Sequence, residues 1–308
     1  MPVNCALVLN VEVTDDGLVL QASYDEAMIE HNRVYLMLRQ FEHLYRQLCV
    51  PSPDATADTL DFCCAEDAAD LAKLNGNVPE PTMSCVHDLI AQQVTTRPGN
   101  EAVCAWDGSM NYQEFDWATA KLASHLHHDL QLSPGSVVPY CFDKSLWSIV
   151  SIVAILRAGC GVTALDPMWP RERISHVLVE TQSVAILCDD AALAKFGGMH
   201  PLMLAVNARL LDGLSHDREL PISDPSSLLF LQLTSGSTGK PKLIEMHHHS
   251  FASSIAGHAP RLCITANSRV LQFCNFTYDV SMGEVLTTLA VVCNALKHIL
   301  QAKSLSDI

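Results

Sequence analysis

The sequence has few basic residues and no long apolar run. Its 308 residues include 19 Lys and Arg against 34 Asp and Glu, for a formal net charge of −15. This charge repels nucleic acids and anionic lipid surfaces, so we expect neither nucleic-acid nor membrane partners. The longest apolar stretch, residues 146–156, contains Ser148 and Ser151 and is too short to span a bilayer.

The twelve cysteines include no C-x-x-C pair. In a chain of this size that pattern favours buried free thiols over disulfides or a zinc site. The opening residues, MPVNCALVLN, have no basic region, so we predict no secretory signal and a cytoplasmic protein. With 49% hydrophobic and 17% charged residues, the chain is expected to fold into one or two globular domains.

The first 84 residues differ from the rest. Apolar and polar residues alternate on both sides of Asp15-Asp16-Gly17, which predicts a β-hairpin. A helix is predicted over 26–48, with an apolar stripe that includes Val34, Leu38 and Phe41. A hairpin and one helix bury too little surface to fold alone. Residues 51–84, with four prolines, are predicted to be an extended linker containing at most one short helix.

From Cys85 onward, predicted strands and helices alternate, which predicts an α/β fold with a mostly parallel sheet flanked by helices. A helix over 146–157 is apolar nearly all round and should be buried; it ends at Arg157-Ala158-Gly159. Residues 190–226 carry little signal. The predicted strands cover 102–106, 110–112, 137–142, 161–165, 184–189, 228–233 and 270–274, and a late helix covers 285–292.

Directly after the apolar run 228–233 comes Thr-Ser-Gly-Ser-Thr-Gly-Lys-Pro-Lys, residues 234–242. Glycines let backbone N–H groups turn toward an anion, hydroxyls add donors, and lysines add positive charge. The pattern therefore predicts a phosphate-binding loop. It is not the P-loop of common NTPases, because Thr234 stands where that motif needs glycine and Pro241 follows the lysine. Pro241 also argues against a helix that continues directly from the loop.

This stretch resembles the phosphate-binding loop of the adenylate-forming (AMP-binding) superfamily, whose pattern is roughly TSG[ST]TGxPKG. The match runs from Thr234 to Lys242 and then fails, because Leu243 replaces the usual glycine. The resemblance assigns ATP phosphate binding to Thr234, Ser235, Gly236, Ser237, Thr238, Gly239, Lys240 and Lys242.

Two further blocks extend the resemblance. Residues 156–173 are similar to the family's LKAG…(L/I)DPxxPxxR block, which we interpret as scaffold without a catalytic role. Residues 278–284 are similar to its FDxSxxE block. In amino-acid-activating members the aspartate of that block binds the substrate's α-ammonium, which here implies Asp279, with Tyr278, Val280 and Gly283 as neighbouring substrate contacts. The alternative role for Asp279 is an N-cap on the following helix.

Three consecutive histidines, His247, His248 and His249, follow the loop. On a strand His247 and His249 would face the same way, but no nearby carboxylate or cysteine completes a metal-ligand set. The family usually has Glu-His-Arg here, which His248 matches. We therefore predict no metal site at these residues.

The chain as a whole resembles a fungal-type nonribosomal peptide synthetase, an enzyme class of secondary metabolism. Residues 1–50 are similar to the C-terminal tail of a condensation domain, although the family's HHxxxDG motif is absent. Residues 51–84 would be the linker, and 85–308 the N-terminal part of an adenylation domain. The implied reaction is the ATP-dependent activation of an amino acid as aminoacyl-AMP, with Mg²⁺, for transfer to a phosphopantetheine on a separate carrier domain. Carrier and condensation domains would be the partners.

The family's YGPTE segment, ribose-binding aspartate and C-terminal catalytic lysine have no counterpart in these 308 residues. We therefore expect a truncated product that is inactive alone, and we assign no catalytic residue. Two alternatives stay open: an acyl-CoA or aryl-acid ligase fragment, and a non-catalytic interaction protein from a broken synthetase gene. Asp279 argues against the first, because an acid without an amino group has no use for its charge. The sequence does not identify the amino acid.

Overall fold

A computed structural model describes residues 5–15, 17–49, 56–76, 78–215, 218–234, 242–291 and 296–297. The chain divides into two compact units: an N-terminal unit, Met1–Pro79, and a C-terminal unit, Glu80–Ile308.

The N-terminal unit begins with the predicted hairpin. Strand β1 (Leu7–Thr14) pairs antiparallel with β2 (Gly17–Tyr24), and Thr14 lies opposite Gly17 across the turn. Helix α1 (His31–Cys49) follows. It begins five residues later than predicted, because Asp25 closes a turn first: its carboxylate accepts the N–H of Ala27 at 2.9 Å, and its carbonyl accepts the next two N–H groups.

The segment predicted to be a linker contains an eleven-residue helix, α2 (Ala65–Asn75), preceded by a short 3-10 turn, Ala57–Thr59. Arg39 of α1 forms an ion pair with Asp67 of α2, whose side chain is only 10% exposed. This partner holds the pKa of Asp67 below its usual value. That residues 51–84 act as an inter-domain linker stays a prediction.

The C-terminal unit alternates strands and helices. Its described strands are β3 (Glu101–Ala105), β4 (Gly108–Asn111), β5 (Val137–Cys141), β6 (Gly161–Ala164), β7 (Ile186–Cys188), β8 (Met203–Ala205), β9 (Leu228–Thr234), β10 (Lys242–His247) and β11 (Leu296–Lys297). Its described helices are α3 (Val86–Thr96), α4 (Tyr112–Ser124), α5 (Leu146–Arg157), α6 (Arg171–Glu180), α7 (Asp190–Phe196), α8 (Ala208–Asp212), α9 (His248–Arg261), α10 (Asp279–Met282) and α11 (Thr288–Val291). A π-helical turn, Gly283–Thr287, joins the last two.

Six strands form the main sheet in the order β10-β9-β6-β5-β7-β8. All described neighbours in it run parallel except β10, which pairs antiparallel with β9. A smaller sheet has the order β11-β3-β4. The prediction of an α/β fold with a mostly parallel sheet flanked by helices is confirmed.

Helix α5 lies in the centre of the core, as its sequence predicts. Ser145 caps its first turn by accepting the N–H of Ser148 at 3.2 Å, and its residues from 148 to 156 are all buried. The helix stops at Gly159, whose φ of +77° is in the left-handed region that favours glycine. Within the described residues, no helix combines the length and apolar content needed to cross a bilayer.

Three predictions of local structure need correction. The strand predicted over 270–274 is absent: among these residues only Leu271 makes a β-bridge. The helix predicted over 285–292 begins earlier, at Asp279, because the residues that resemble the family's FDxSxxE block are themselves helical. Residues 190–226, for which no element was predicted, contain α7, β8 and α8. These elements have three to seven residues, too short for a periodic pattern to emerge.

Candidate active site

A crevice of about 570 Å³ opens at the carboxyl ends of β6 and β9. Ligands of open α/β sheets bind outside this end of the strands, because helix N-termini and connecting loops converge there. Asp166 follows β6, and Gln232 is close to the end of β9. The opposite wall contains Tyr278 and Asp279, where α10 begins. The crevice is thus the natural place in the described fold for a small polar substrate.

The predicted phosphate-binding loop lies between two neighbouring strands. Thr234 ends β9, Lys242 begins β10, and the two residues are directly opposite each other in the antiparallel pair. Leu233 and Ile244, just before and just after the loop, both line the crevice. The loop therefore starts and ends beside the crevice, and no helix follows it directly, as Pro241 predicted. Ser235, Gly236, Ser237, Thr238, Gly239 and Lys240 lie outside the described residues.

Asp279 is the first residue of α10, and its side chain is exposed to the crevice. One carboxylate oxygen accepts the N–H of Val280 at 2.9 Å, which leaves the other able to accept from a ligand. The N-cap position belongs to Tyr278, which makes no side-chain capping bond. Val280 is exposed and Gly283 half-buried, and neither lines this crevice in the described structure. Two of the four predicted substrate contacts therefore meet here.

Side chains from neighbouring elements hold the segment before Asp279. The amide of Gln232 donates to the carbonyl of Thr277, two residues before Asp279. The amide of Asn275 donates to Asp166 Oδ2 at 3.0 Å, and its own oxygen accepts the N–H of Thr277 at 3.0 Å. These bonds connect the strand that leads into the phosphate loop with the segment that presents Asp279.

Lys144 and Glu284 secure the same segment further upstream. The ammonium of Lys144 donates to the carbonyls of Gln272 and Phe273, and the carboxylate of Glu284 accepts the N–H of Cys274 at 3.0 Å. Partial burial lowers the pKa of Lys144, although the nearby Glu284 carboxylate opposes that shift. These side-chain bonds replace the backbone ladder that a strand over 270–274 would have made.

Trp169 and Arg173 also line the crevice, although sequence reasoning assigned their block to scaffold. The Arg173 guanidinium lies over the Trp169 ring at 4.0 Å from its centroid. No carboxylate of the described residues pairs with Arg173. The crevice therefore combines carboxylates with a cation that is held by an aromatic ring. A motif alone does not show which of its side chains line a crevice, so nothing in the block distinguished Trp169 and Arg173 from their neighbours.

The three consecutive histidines point to different partners. His247 ends β10, whereas His248 and His249 begin α9, so the strand geometry considered above does not apply. His248 is buried, and its Nδ1 accepts the N–H of Val86 at 3.1 Å. Burial lowers its pKa to about 3. His249 Nδ1 is 2.9 Å from the carbonyl of Pro225.

The mostly parallel sheet and the crevice at its carboxyl end define an α/β protein of the kind that binds ligands at the carboxyl ends of its strands. The family described as AMP-binding enzyme matches residues 90–296, and the chain belongs to that family. The resemblance seen in the sequence is confirmed.

Its relatives include fungal nonribosomal peptide synthetases. The chain is 35% identical over 307 residues to nonribosomal peptide synthetase dtpA of Aspergillus flavus, covering 98% of this chain and 12% of that protein. It is 34% identical over 289 residues to inpA of Emericella nidulans, covering 92% of this chain and 19% of that protein. The chain thus corresponds to an adenylation-domain segment and spans a small part of either relative.

Solved structures share the fold at lower identity. A crystal structure of the nonribosomal peptide synthetase FmoA3 superposes with a TM-score of 0.72 and 19% identity, covering 96% of this chain and 31% of that one. FmoA3 has also been crystallised with AMPPNP bound. A complex of VinN with 3-methylaspartate gives a TM-score of 0.64 and 19% identity, covering 74% of this chain and 65% of that one.

Proposed function

We propose that the protein takes part in activating an amino acid as aminoacyl-AMP within a nonribosomal peptide synthetase. The observation that carries this proposal is the position of Asp279. It lines the same crevice as Leu233 and Ile244, which lie on either side of the predicted phosphate-binding loop, residues 234–242. Residues that flank the predicted anion-binding loop and a carboxylate able to pair with an ammonium group thus line one space. Such an arrangement suits a substrate pair made of a nucleotide and an amino acid.

ATP would be held by the loop at its β- and γ-phosphates. Thr234, Ser235, Ser237 and Thr238 would supply hydroxyl donors, the glycines Gly236 and Gly239 would expose backbone N–H groups, and Lys240 and Lys242 would add charge. Mg²⁺ bridging the phosphates would offset the remaining repulsion between ATP and the substrate carboxylate. The AMPPNP complex of FmoA3 supports nucleotide binding by this fold.

The amino-acid substrate would place its α-ammonium on Asp279, with Tyr278, Val280 and Gly283 nearby. A carboxylate beside apolar walls pairs strongly with a cation once substrate binding excludes water. The carboxylate of the same amino acid would be directed toward the loop and the α-phosphate of ATP. The protein contributes by positioning the two anions for in-line attack.

The product would pass to the phosphopantetheine thiol of a carrier domain and then to condensation domains. The fungal relatives support this placement, because both are named as nonribosomal peptide synthetases. Residues 1–50 would belong to a preceding condensation domain and residues 85–308 to the adenylation domain. A cytoplasmic location stays a prediction.

The experiment is ATP–pyrophosphate exchange by an enzyme that carries these residues together with the family's YGPTE segment, ribose-binding aspartate and C-terminal lysine. The enzyme is supplied in turn with each of the common α-amino acids and with the matching acids that lack the amino group. Exchange should require the amino group, because Asp279 needs a cationic partner. Equal exchange with an acid and its amino counterpart would favour the acyl-CoA or aryl-acid ligase alternative.

A further inference from the structure

Three side chains with metal-binding chemistry meet at the start of α3, outside the crevice. Cys85 occupies the N-cap position, and His87 and Asp88 lie in the first turn. One ligand atom from each lies within 4.8 Å of the other two, and no other such group occurs among the described residues. Thiolate, imidazole and carboxylate are the three protein ligands that Zn²⁺ prefers.

The geometry is close to that of a tetrahedral zinc site. Bonds of about 2.0–2.3 Å at tetrahedral angles place ligand atoms about 3.3–3.6 Å apart. His87 Nε2 and Asp88 Oδ1 are already 3.8 Å apart. Because the remaining separations are at most 4.8 Å, rotamer adjustments on the order of 1 Å bring all three atoms to one ion.

His87 has unused binding capacity. Its side chain is only 11% exposed, and its Nδ1 is buried without a hydrogen-bond partner in the described structure. Buried ring nitrogens are normally paired. The Nε2 of His87, 3.8 Å from the Asp88 carboxylate, is not hydrogen-bonded to any described residue either, so it is the nitrogen available to an ion bound beside Asp88, whereas Nδ1 lies on another side of the ring. The ring also packs edge-on against His248, with centroids 5.1 Å apart, which fixes its plane.

The charges around the group suit a divalent cation. A thiolate at Cys85 and the carboxylate of Asp88 together balance the two charges of Zn²⁺, and this offsets the repulsion between the ion and the positive N-terminal end of α3. The guanidinium of Arg157, whose charge acts on His87 and Asp88, is already paired with Asp116 at 2.7 Å. On the far side, the Cys85 thiol donates to the carbonyl of Ser223 at 3.4 Å, next to the Asp224 carboxylate. The Asp88 side chain is 60% exposed and gives an ion a route from solvent.

We propose that Cys85, His87 and Asp88 bind one Zn²⁺, with water in the fourth position. Three protein ligands and an open position are the arrangement of zinc sites that accept an exchangeable group. The site lies on a different element from the loop 235–241 and from Asp279, so it does not depend on the proposed adenylation activity. It also departs from the expectation that none of the cysteines binds zinc.

The test measures metal bound to the purified chain, residues 1–308, after incubation with Zn²⁺ and removal of the unbound ion. Wild-type protein should retain about one Zn²⁺ per chain, and Co²⁺ in its place should give a thiolate-to-cobalt charge-transfer band. Cys85→Ser places serine, a favoured N-cap residue, where the Cys85 side chain makes no capping bond, but it should abolish that band and weaken Zn²⁺ binding at least tenfold. Asp88→Asn, at an exposed position, should weaken binding without changing the fold.

Cys160→Ser is the matched control. Cys160 is equally buried, and its thiol likewise donates to a backbone carbonyl, that of Ser133 at 3.6 Å, but it is not part of a ligand group. This variant should bind Zn²⁺ and give the cobalt band as the wild type does. Binding that is absent from folded wild-type protein, or that survives Cys85→Ser, would overturn the proposal; the latter would assign the ion to other residues among the fourteen histidines.

Discussion

At the scale of single residues, the carboxylate of Asp279 both accepts a backbone N–H and lines the crevice. One carboxylate oxygen accepts the N–H of Val280 and so stabilises the first turn of α10. The side chain also lines the crevice, so its second oxygen is available to accept from a ligand. Because the backbone bond fixes the carboxylate in place, little side-chain entropy remains to be lost when an ammonium group binds.

Asp279→Ala should therefore separate substrate binding from nucleotide binding. In an enzyme that carries the later family motifs, amino-acid-dependent pyrophosphate exchange should fall at least tenfold, since losing a charge-assisted bond in a desolvated pocket costs about 2–5 kcal/mol. ATP affinity, measured by calorimetry, should stay nearly unchanged. Asp190→Ala is the control, because Asp190 also begins a helix but does not line the crevice. Equal loss of amino-acid and ATP binding would indicate a collapsed helix start instead.

A second prediction concerns nucleotide binding by the loop residues. Lys240→Ala and Thr238→Ala should each weaken ATP-dependent pyrophosphate exchange, because each would remove one of the proposed donors to the ATP phosphates, and one preorganised donor is worth about 10²–10³ in rate. Lys73→Ala serves as the control, since Lys73 is in the N-terminal unit and pairs with Asp70 on the surface. If exchange were unchanged in both loop variants, the phosphate-binding assignment would be wrong.

At the scale of elements, sequence patterns predicted those parts whose stability is local. The hairpin, the buried helix α5 and strand β9 follow from alternation, apolar content and capping residues. The failures are places where distant side chains decide the conformation. Residues 270–274 look like a strand, but Lys144, just before α5, and Glu284, in the π-helical turn, bind their backbone. Likewise, Asp166, Gln232 and Asn275 meet at the crevice because of the order of the strands in the sheet. That order cannot be read from a single sequence.

Gly159 is an element boundary where a side chain is disfavoured both by the backbone conformation and by a close neighbour. Its φ is +77°, and a Cβ there would lie 3.1 Å from Cβ of Pro134. Gly159→Ala should destabilise the C-terminal unit by about 1–3 kcal/mol, because the left-handed conformation alone costs roughly 1–2 kcal/mol for a residue with a Cβ. Urea unfolding followed by tryptophan fluorescence measures the loss. Gly99→Ala, where a Cβ meets nothing within 4 Å, should be nearly neutral; an equal effect of both would refute the strain at Gly159.

A further prediction concerns how firmly Lys144 holds the segment before Asp279. Lys144→Met keeps most of the side chain but removes the donors to Gln272 and Phe273. Because no backbone ladder holds this segment, its amides should exchange with deuterium several-fold faster, while those of α5 remain protected. Lys195→Met is the control: Lys195 donates to the carbonyl of Pro167 instead. Exchange over 272–279 that is unchanged by Lys144→Met would mean that Glu284 and Gln232 suffice.

At the scale of the whole molecule, the acidic charge and the proposed anionic substrate are compatible. A net charge of −15 repels ATP at long range, but salt screens exposed charges over about 8–10 Å at physiological ionic strength. Under the proposed function, ATP recognition would then depend on the local charges of Lys240, Lys242 and Arg173. The charge does lower the tendency of the exposed edge strand β10 to pair with other chains, because like-charged molecules repel.

The last prediction concerns the activity of the polypeptide of residues 1–308. No YGPTE segment occurs in it, nor any counterpart of the ribose-binding aspartate or the C-terminal lysine that the family resemblance implies. ATP would therefore be held mainly by its phosphates, and the charge that develops during attack on the α-phosphate would lack its cation, at a cost of about 10²–10³ in rate. ATP–pyrophosphate exchange with each of the twenty amino acids should stay at background. Calorimetry with ATP distinguishes weak binding from an unfolded chain, and exchange clearly above background with any amino acid would show that the described crevice and loop suffice for adenylation.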